Sequence, residues 1–505
     1  MNLAPAPISS DTRAIIAVIA ISFALRAALA AVMGFTIDET YNVVVARQFA
    51  LSYYDHPPAI MWLIAAAVKL TGSEHHLIVR LPTLILFSAQ SWLLYQLTAF
   101  LFDKRAALFA VIAISSSPLF AFYSGAIAST DEPLVFGLTG AALFVARAVF
   151  TEGPTLWRTW LIAGFFFGVA LLSKFSAILI LPGFALFLLT VPRHRHLIFT
   201  AGPYAAAFVA VAVFMPVILW NIENGFVAFA FQGSRAALGH EIHIARALTH
   251  LGVFIVATGA VIWLVQIAAL VGALRAGPRD ERRWFFASLA IVPIVFFLFL
   301  DMFAREGVAP HWLEPGYVFT FPLMGAAVVQ LYARFPRTVW WTFTVCIVGI
   351  CLLLLAFLTH TRTGWLRTFV PSFNDHDPMV SGQTDWWSFR AALKERGYLD
   401  SKRYFILSGR YWVCFKAQLV LSGSLPVVCI SENPIANALW LNDTTLIGRD
   451  AIIAEWWDGP QTAQDKFEHI EQIEPIWITE YGRPVMRIEL ALGRNLQRPI
   501  FEPSR

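Results

Sequence analysis

A chain of 505 residues that is 58% hydrophobic and 14% charged, with 43 Phe, 18 Trp and a mean hydropathy of +0.64, carries more apolar surface than one soluble core can hide. A polytopic membrane protein is the class that remains. The net charge of +4 is small and lacks a basic, aromatic-laced stripe, which argues against a nucleic-acid partner; four cysteines in no metal-ligand spacing exclude a disulfide scaffold and disfavour a zinc site.

In chain order, residues 1–13 are a polar lead, and residues 14–35 are apolar for long enough to cross a hydrocarbon core of about 30 Å. Ala28-Leu29-Ala30 faintly resembles a signal-peptidase site, but the long apolar region favours a retained first helix, in which Arg26 snorkels or faces a cavity. A polar loop follows, opening Asp38-Glu39-Thr40-Tyr41 and closing Tyr53-Tyr54-Asp55-His56-Pro57-Pro58, and residues 56–70 read as an interfacial helix. Further spans are predicted at 78–102, 106–123, 134–150, 157–172, 177–191, 197–220, 251–274, 284–303, 317–332 and 339–358, about eleven in all. Basic residues gather in alternate loops (Lys104 and Arg105, Arg158, Arg193 to His196, Arg275 to Arg283, Arg334 and Arg337), which the positive-inside rule makes cytoplasmic. The polar loop, the Asp131 and Ser173-Lys174 turns, the 221–250 and 306–316 loops and everything after His360 then face outward, toward the periplasm if the membrane is a bacterial inner membrane.

The expected division is a transmembrane module over residues 1–360 and a soluble α/β domain over 361–505. Strand-like runs start at Tyr404, Pro426 and Asp450, with a helical stretch over residues 411–421. Ser408-Gly409 hints at a nucleotide fold but lacks a Gly-rich fingerprint, so a lid or docking domain is the better reading. Cys414 and Cys429 could pair in an oxidising compartment, although one reads as helical and the other as part of a strand.

Carboxylates beside a bilayer are costly unless solvated, paired or used. Taken singly, Asp38-Glu39 reads equally well as a helix cap, Asp55-His56-Pro57-Pro58 as a turn, Asp131 as a helix start and Lys174 as a snorkelling lysine. Together they put Asp38, Glu39, Asp55 and Asp131 on one predicted face with Lys174, Arg80, His56 and His311. Those are the groups needed to move a unit off a phosphate-activated carrier: a carboxylate for the proton and fixed cations for the leaving phosphate. Glu74-His75-His76 and His240-Glu241-Ile242-His243 could bind a divalent metal, but each lacks a clear third ligand, so no cofactor is firmly predicted and a divalent metal stays open. The 221–250 loop, with Phe231-Gln232 and Arg235, is long enough to cover an acceptor or lipid groove.

Asp38-Glu39 after the first helix, Tyr54-Asp55-His56-Pro57-Pro58, Arg80-Leu81-Pro82, Asp131, Leu172-Ser173-Lys174 and His311-Trp312 resemble the membrane-embedded glycosyltransferases of the GT-C class. Within that class the chain is similar to bacterial relatives of the protein O-mannosyltransferases and to the lipid A aminoarabinose and galacturonic acid transferases. The resemblance implies a sugar carried on polyprenyl phosphate, an inverting transfer, Asp38 as base, and Lys174 and His56 on the donor phosphate; to these we add Glu39 beside the base, Arg80 and Tyr54 beside the phosphate, and a glycolipid or protein acceptor. Asp55, Asp131, His311 and Tyr41 are left to the sugar or acceptor. Aminoarabinose transferases carry Glu-Lys-Pro where this chain has Asp55-His56-Pro57, and Arg-Tyr where it has Tyr41-Asn42, which weighs against aminoarabinose as the sugar. A transporter or flippase of a lipid-linked sugar is the rival reading, but it would place ionisable residues at mid-membrane in broken or repeated helices; a non-catalytic envelope scaffold is a third.

Overall fold

The computed structural model describes residues 10–151, 157–430, 443–455 and 464–501. It divides into two compact units, Met1–Ala31 with Ala50–Ile350, and Val32–Phe49 with Cys351–Arg505. The division cuts through the first polar loop, so its Asp38 end and its Asp55 end belong to different units.

The first unit starts with α1 (Ser10–Val32). The short helix α2 (Ile37–Ala46) belongs to the other unit, and α3 (Ala59–Thr71) resumes the first, ending where Gly72 takes φ +70°, a backbone position that favours glycine. Then come α4 (His76–Leu101) and α5 (Lys104–Ser115), the latter started by the Asp103 carboxylate accepting from the backbone N–H groups of Arg105 and Ala106. The predicted span over 106–123 breaks at Ser116-Ser117-Pro118 and continues as a π-helical turn, Leu119–Ser124. The remaining helices of this unit are α6 (Asp131–Phe150), α7 (Trp157–Ser173), α8 (Ile180–Thr190), α9 (Ala201–Glu223), α10 (Val227–Arg235), α11 (Ile244–Thr258), α12 (Ala260–Ala276), α13 (Glu281–Phe303), α14 (Glu314–Tyr317) and α15 (Thr320–Arg334). The 221–250 stretch is therefore mostly helical.

Among the described residues seven helices are long and apolar enough to cross a membrane, or up to nine if each of two sharply bent pairs counts as one crossing. This is a multi-pass membrane protein of mainly α architecture. The predicted count of eleven is not reached by length and composition, because α7 and α11 are too short to qualify alone and α5 stops at its break. Glycine lets α6 and α7 approach closely: a Cβ at Gly137 would lie 2.6 Å from the Ala170 backbone nitrogen.

The second unit is entered along α16 (Pro336–Thr363) and continues through α17 (Pro378–Ser381), α18 (Trp387–Glu395), β1 (Tyr404–Ser408), α19 (Tyr411–Leu421), β2 (Val427–Cys429), β3 (Asp450–Glu455), β4 (Phe467–Glu480) and β5 (Arg483–Leu496). The sheet order is β2-β1-β3-β5-β4, with β1 parallel to β2 and β3, and β5 antiparallel to β3 and β4. The three predicted strands and the 411–421 helix are present. The β4–β5 hairpin was not predicted: Pro475 interrupts the alternating Ile470, Ile473, Ile476 and Ile478, and the ladder slips there. Its turn is Tyr481-Gly482, both at positive φ (48° and 75°), the conformation a two-residue hairpin requires.

Cys414 and Cys429 form a disulfide that ties α19 to β2. The Gly409 N–H, after β1, donates to the Glu455 carboxylate at 2.9 Å, so the chain's own anion accepts the donor that a phosphate would need in a strand–turn–helix site. Apolar residues of β1, β3 and β5 meet α18 and α19 on one side of the sheet.

Segment 32–49 is fastened to this α/β unit at several points. Lys416, 1% exposed on α19, donates through Nζ to the Phe35 carbonyl (2.6 Å) and to the Thr384 carbonyl (2.9 Å). The Phe35 N–H donates to Asp385 Oδ1 (3.3 Å), and a Cβ at Gly34 would collide with the Gln383 carbonyl. Tyr41 meets Phe415 edge-on at 4.8 Å, and Arg47 donates to the Gln418 and Leu419 carbonyls at the end of α19.

Candidate active site

In the first unit, α6 starts at Asp131 and α7 ends one residue before Lys174, so antiparallel packing of the two helices brings these side chains together. Lys174 Nζ lies 2.5 Å from Asp131 Oδ1, with the pair largely buried. The Ser173 hydroxyl donates to the Thr130 carbonyl and the Ser129 hydroxyl accepts from the Asp131 N–H (3.3 Å), which fixes both helix ends. The pair lines a small cleft of about 70 Å³ with His56, Gln232, Arg235, Phe297 and Trp312.

The far wall comes from α10. Its Gln232 side chain donates to the Asp55 carbonyl, and Tyr54 packs on Phe231 with ring centres 4.9 Å apart. Arg235 lies over the Trp312 ring at 4.6 Å from its centre, and its carboxylate contact, Glu306 at 3.8 Å, is more than half exposed. The cleft thus holds one neutralised cation, Lys174, and one weakly paired cation, Arg235. His56 Nε2 is 3.7 Å from Asp55 Oδ2. Burial moves the His56 pKa below its ordinary value, with Lys174 and Arg235 adding to the shift and Asp55 and Asp131 opposing it. The imidazole is therefore neutral at pH 7 and offers a hydrogen bond rather than a fixed charge. Burial, then the Asp55 charge, raises the Tyr54 phenol and keeps it protonated.

The predicted residues are distributed unevenly. Lys174, His56 and Asp131 share the cleft, and Asp55 and Tyr54 form its approach. The His311 ring packs on Tyr123 at 4.8 Å, next in sequence to the cleft residue Trp312. Arg80 is 1% exposed inside α4, donates to the Ala30 carbonyl at 2.9 Å and is absent from the cleft lining. Asp38, Glu39 and Tyr41 belong to the second unit, on α2. There the Glu39 carboxylate accepts from the Thr36 N–H (2.9 Å) while the Thr36 hydroxyl accepts from the Glu39 N–H (3.2 Å), a reciprocal capping box, and Asp38 is the exposed carboxylate of that first turn.

Sequence reading also missed a buried polar layer of the first unit. Glu314 accepts from the Ser124 hydroxyl at 2.7 Å, and Arg26 donates to the Gly125 carbonyl (2.8 Å) above the Phe87 ring (4.0 Å from its centre), so Arg26 is packed rather than snorkelling. The available signal was the presence of ionisable residues inside apolar runs. Among the described residues no group of three or more His, Cys, Asp or Glu could hold a metal.

The fold resembles that of solved membrane glycosyltransferases. In particular, the family described as dolichyl-phosphate-mannose-protein mannosyltransferase matches residues 55–220. ArnT from Cupriavidus metallidurans bound to undecaprenyl phosphate superposes with a TM-score of 0.67 over 98% of this chain and 100% of that one; at 14% identity this is a likeness of fold. Two proteins of Rhizobium johnstonii are each 26% identical: lipid A galacturonosyltransferase RgtD over 304 residues, 60% of this chain and 62% of that protein, and lipopolysaccharide core galacturonosyltransferase RgtB over 332 residues, 62% and 64%. The chain thus spans less than two thirds of the length of either curated relative.

Proposed function

We propose that the protein is an inverting glycosyltransferase that moves a sugar from a polyprenyl-phosphate carrier to an envelope glycolipid at the outer face of the inner membrane. The observation that carries this reading is the cleft in which Lys174, held by Asp131, and Arg235, backed by Trp312, line one space with His56. Displacing a sugar from a phosphodiester-linked carrier turns a monoanion into a phosphate monoester approaching two charges. Preorganised cations are what that transition state requires. In the proposed step the acceptor oxygen bonds to the anomeric carbon, the bond from that carbon to the phosphate oxygen breaks, polyprenyl phosphate leaves, and the acceptor proton goes to a carboxylate.

Asp38 is the carboxylate we assign to proton removal, because Glu39 is committed to capping α2 while Asp38 is exposed on the same turn. Arg80, Asp55, His311 and Tyr41 remain proposals for donor or acceptor contacts, with Arg80 the weakest because of its burial. A tail groove is available: below Leu134 and Lys174 the same two helices line an apolar cleft of about 280 Å³ with Leu138, Val145, Phe167 and Leu171. The names of the curated relatives favour galacturonic acid as sugar and lipid A or lipopolysaccharide core as acceptor. The Cys414–Cys429 disulfide supports an oxidising, periplasmic side for the second unit.

The test is reconstitution of the full chain in vesicles with polyprenyl-phosphate galacturonic acid and lipid A, followed by mass spectrometry of both lipids. The proposal expects a hexuronic acid on the acceptor and free polyprenyl phosphate in equal amount. Movement of intact donor between leaflets without product would establish the flippase instead.

A further inference from the structure

A larger cleft lies away from the proposed active site. It opens between α12 and α15, holds about 750 Å³, and is walled by apolar residues such as Leu264, Ala268, Leu323 and Ala327, with Arg283 and Arg334 also in its lining. Both arginines fall where helices end: Arg334 is the last residue of α15 and Arg283 lies in the first turn of α13. From Leu323 to Arg334 the lining runs along twelve residues of α15, roughly 16 Å of helix. One leaflet of hydrocarbon is about 15 Å deep. The cleft thus has the depth of one acyl layer, with its charges at the level of the headgroups.

These charges are available. Among the described residues the Arg334 side chain makes no ion pair or hydrogen bond. Arg283 Nε is 3.4 Å from Asp280 Oδ2, both more than a third exposed, a pair of little strength. Glu281, the other nearby carboxylate, faces His194 at 3.1 Å. The slot itself is open: a Cβ built at Gly272, on its wall, meets nothing within 4 Å.

We infer that this cleft is a binding site for one anionic phospholipid of the arginine-rich leaflet, its phosphate between Arg283 and Arg334 and an acyl chain in the slot between α12 and α15. A zwitterionic lipid would fill the same slot without satisfying the two guanidinium groups. Each basic group near a membrane surface favours an anionic lipid by enough to be measured.

Native mass spectrometry of the full chain, released from mixed micelles of phosphatidylglycerol and phosphatidylcholine, tests this directly. The wild type is expected to retain phosphatidylglycerol in preference, and Arg283→Gln with Arg334→Gln to lower that retention by about tenfold or more. Gly272→Phe, which fills the slot while leaving both charges, is expected to lower it as well, and Lys69→Gln, exposed near the end of α3, is expected to leave it unchanged. Far-ultraviolet circular dichroism confirms that each variant is folded. Equal retention of the two lipids by the wild type, unchanged retention by the double variant, or inorganic phosphate alone displacing phosphatidylglycerol would each overturn the inference.

Discussion

The two ends of the first polar loop are held by different physics. The Asp38 end is folded against the α/β unit by directed hydrogen bonds to backbone: Lys416 on the Phe35 and Thr384 carbonyls, Arg47 on the end of α19, and the reciprocal cap of Thr36 and Glu39. At the Asp55 end, which belongs to the membrane unit, charge dominates, with His56 lining a cleft that also holds Lys174, Asp131 and Arg235. Phe35 and Asp55 are only twenty positions apart, yet the segment through Arg47 is held by directed hydrogen bonds and the Asp55 end sits among charges. A carboxylate assigned to remove a proton gains most from fixed position, and groups assigned to a leaving phosphate gain most from fixed charge.

The comparison predicts different signatures at the two ends. The largest effect is expected at Asp38: Asp38→Asn should lower the transfer rate by on the order of 10²–10⁴ with little change in donor affinity, read from initial rates at saturating donor. Near-normal rates in a folded Asp38→Asn protein would remove it as the base. Next, Lys416→Met should strand two buried carbonyls and cost roughly 1.5–3 kcal/mol, seen as a lower unfolding midpoint for the second unit, together with a fall in kcat and an unchanged KM for donor; a raised KM alone would show that the clamp does not serve the base. At the other end, Arg235→Gln should raise the donor KM by about tenfold and weaken its dependence on ionic strength, whereas a pure loss of kcat would move Arg235 out of the ground-state phosphate contacts.

The smallest effect concerns pH. The folded-state pKa of His56 lies below its ordinary value of 6.5, so as pH falls through 6.5 the unfolded chain takes up a proton before the folded protein does. The His56 contribution to stability is therefore fully present above pH 6.5 and is lost as pH drops toward the lowered value. Thermal unfolding from pH 8 to pH 5 should show the decline in the wild type, and a smaller one in His56→Gln. A matching decline in both would assign the effect to other groups.

The legible parts of the molecule were those written in local pattern. Apolar runs marked the helices of the membrane unit, alternating or continuous apolar stretches marked β1, β2 and β3, and charges beside helix ends marked Lys174, Asp131 and His56. What depended on distant partners was not legible. That Phe35 accepts from Lys416, 381 residues away, cannot be read from either neighbourhood, so segment 32–49 reads as part of the membrane module. Pro475 hid the β4–β5 hairpin because a proline normally ends a strand, whereas here the ladder slips around it. Glu314 and Ser124 are 190 residues apart, and only the fold makes them a pair. Arg235 and Gln232 looked like parts of a covering loop until helix α10 aligned them with the cleft.

The most direct test of the central claim is single-turnover transfer from polyprenyl-phosphate galacturonic acid by Lys174→Met, with Lys174→Arg as the charge-retaining control. If the cleft holds the leaving phosphate, Lys174→Met should be slower by about 10²-fold or more, and Lys174→Arg should recover a measurable part of the rate. Wild-type rates in folded Lys174→Met would contradict the account, because the cation at the centre of the cleft would then have no part in the reaction.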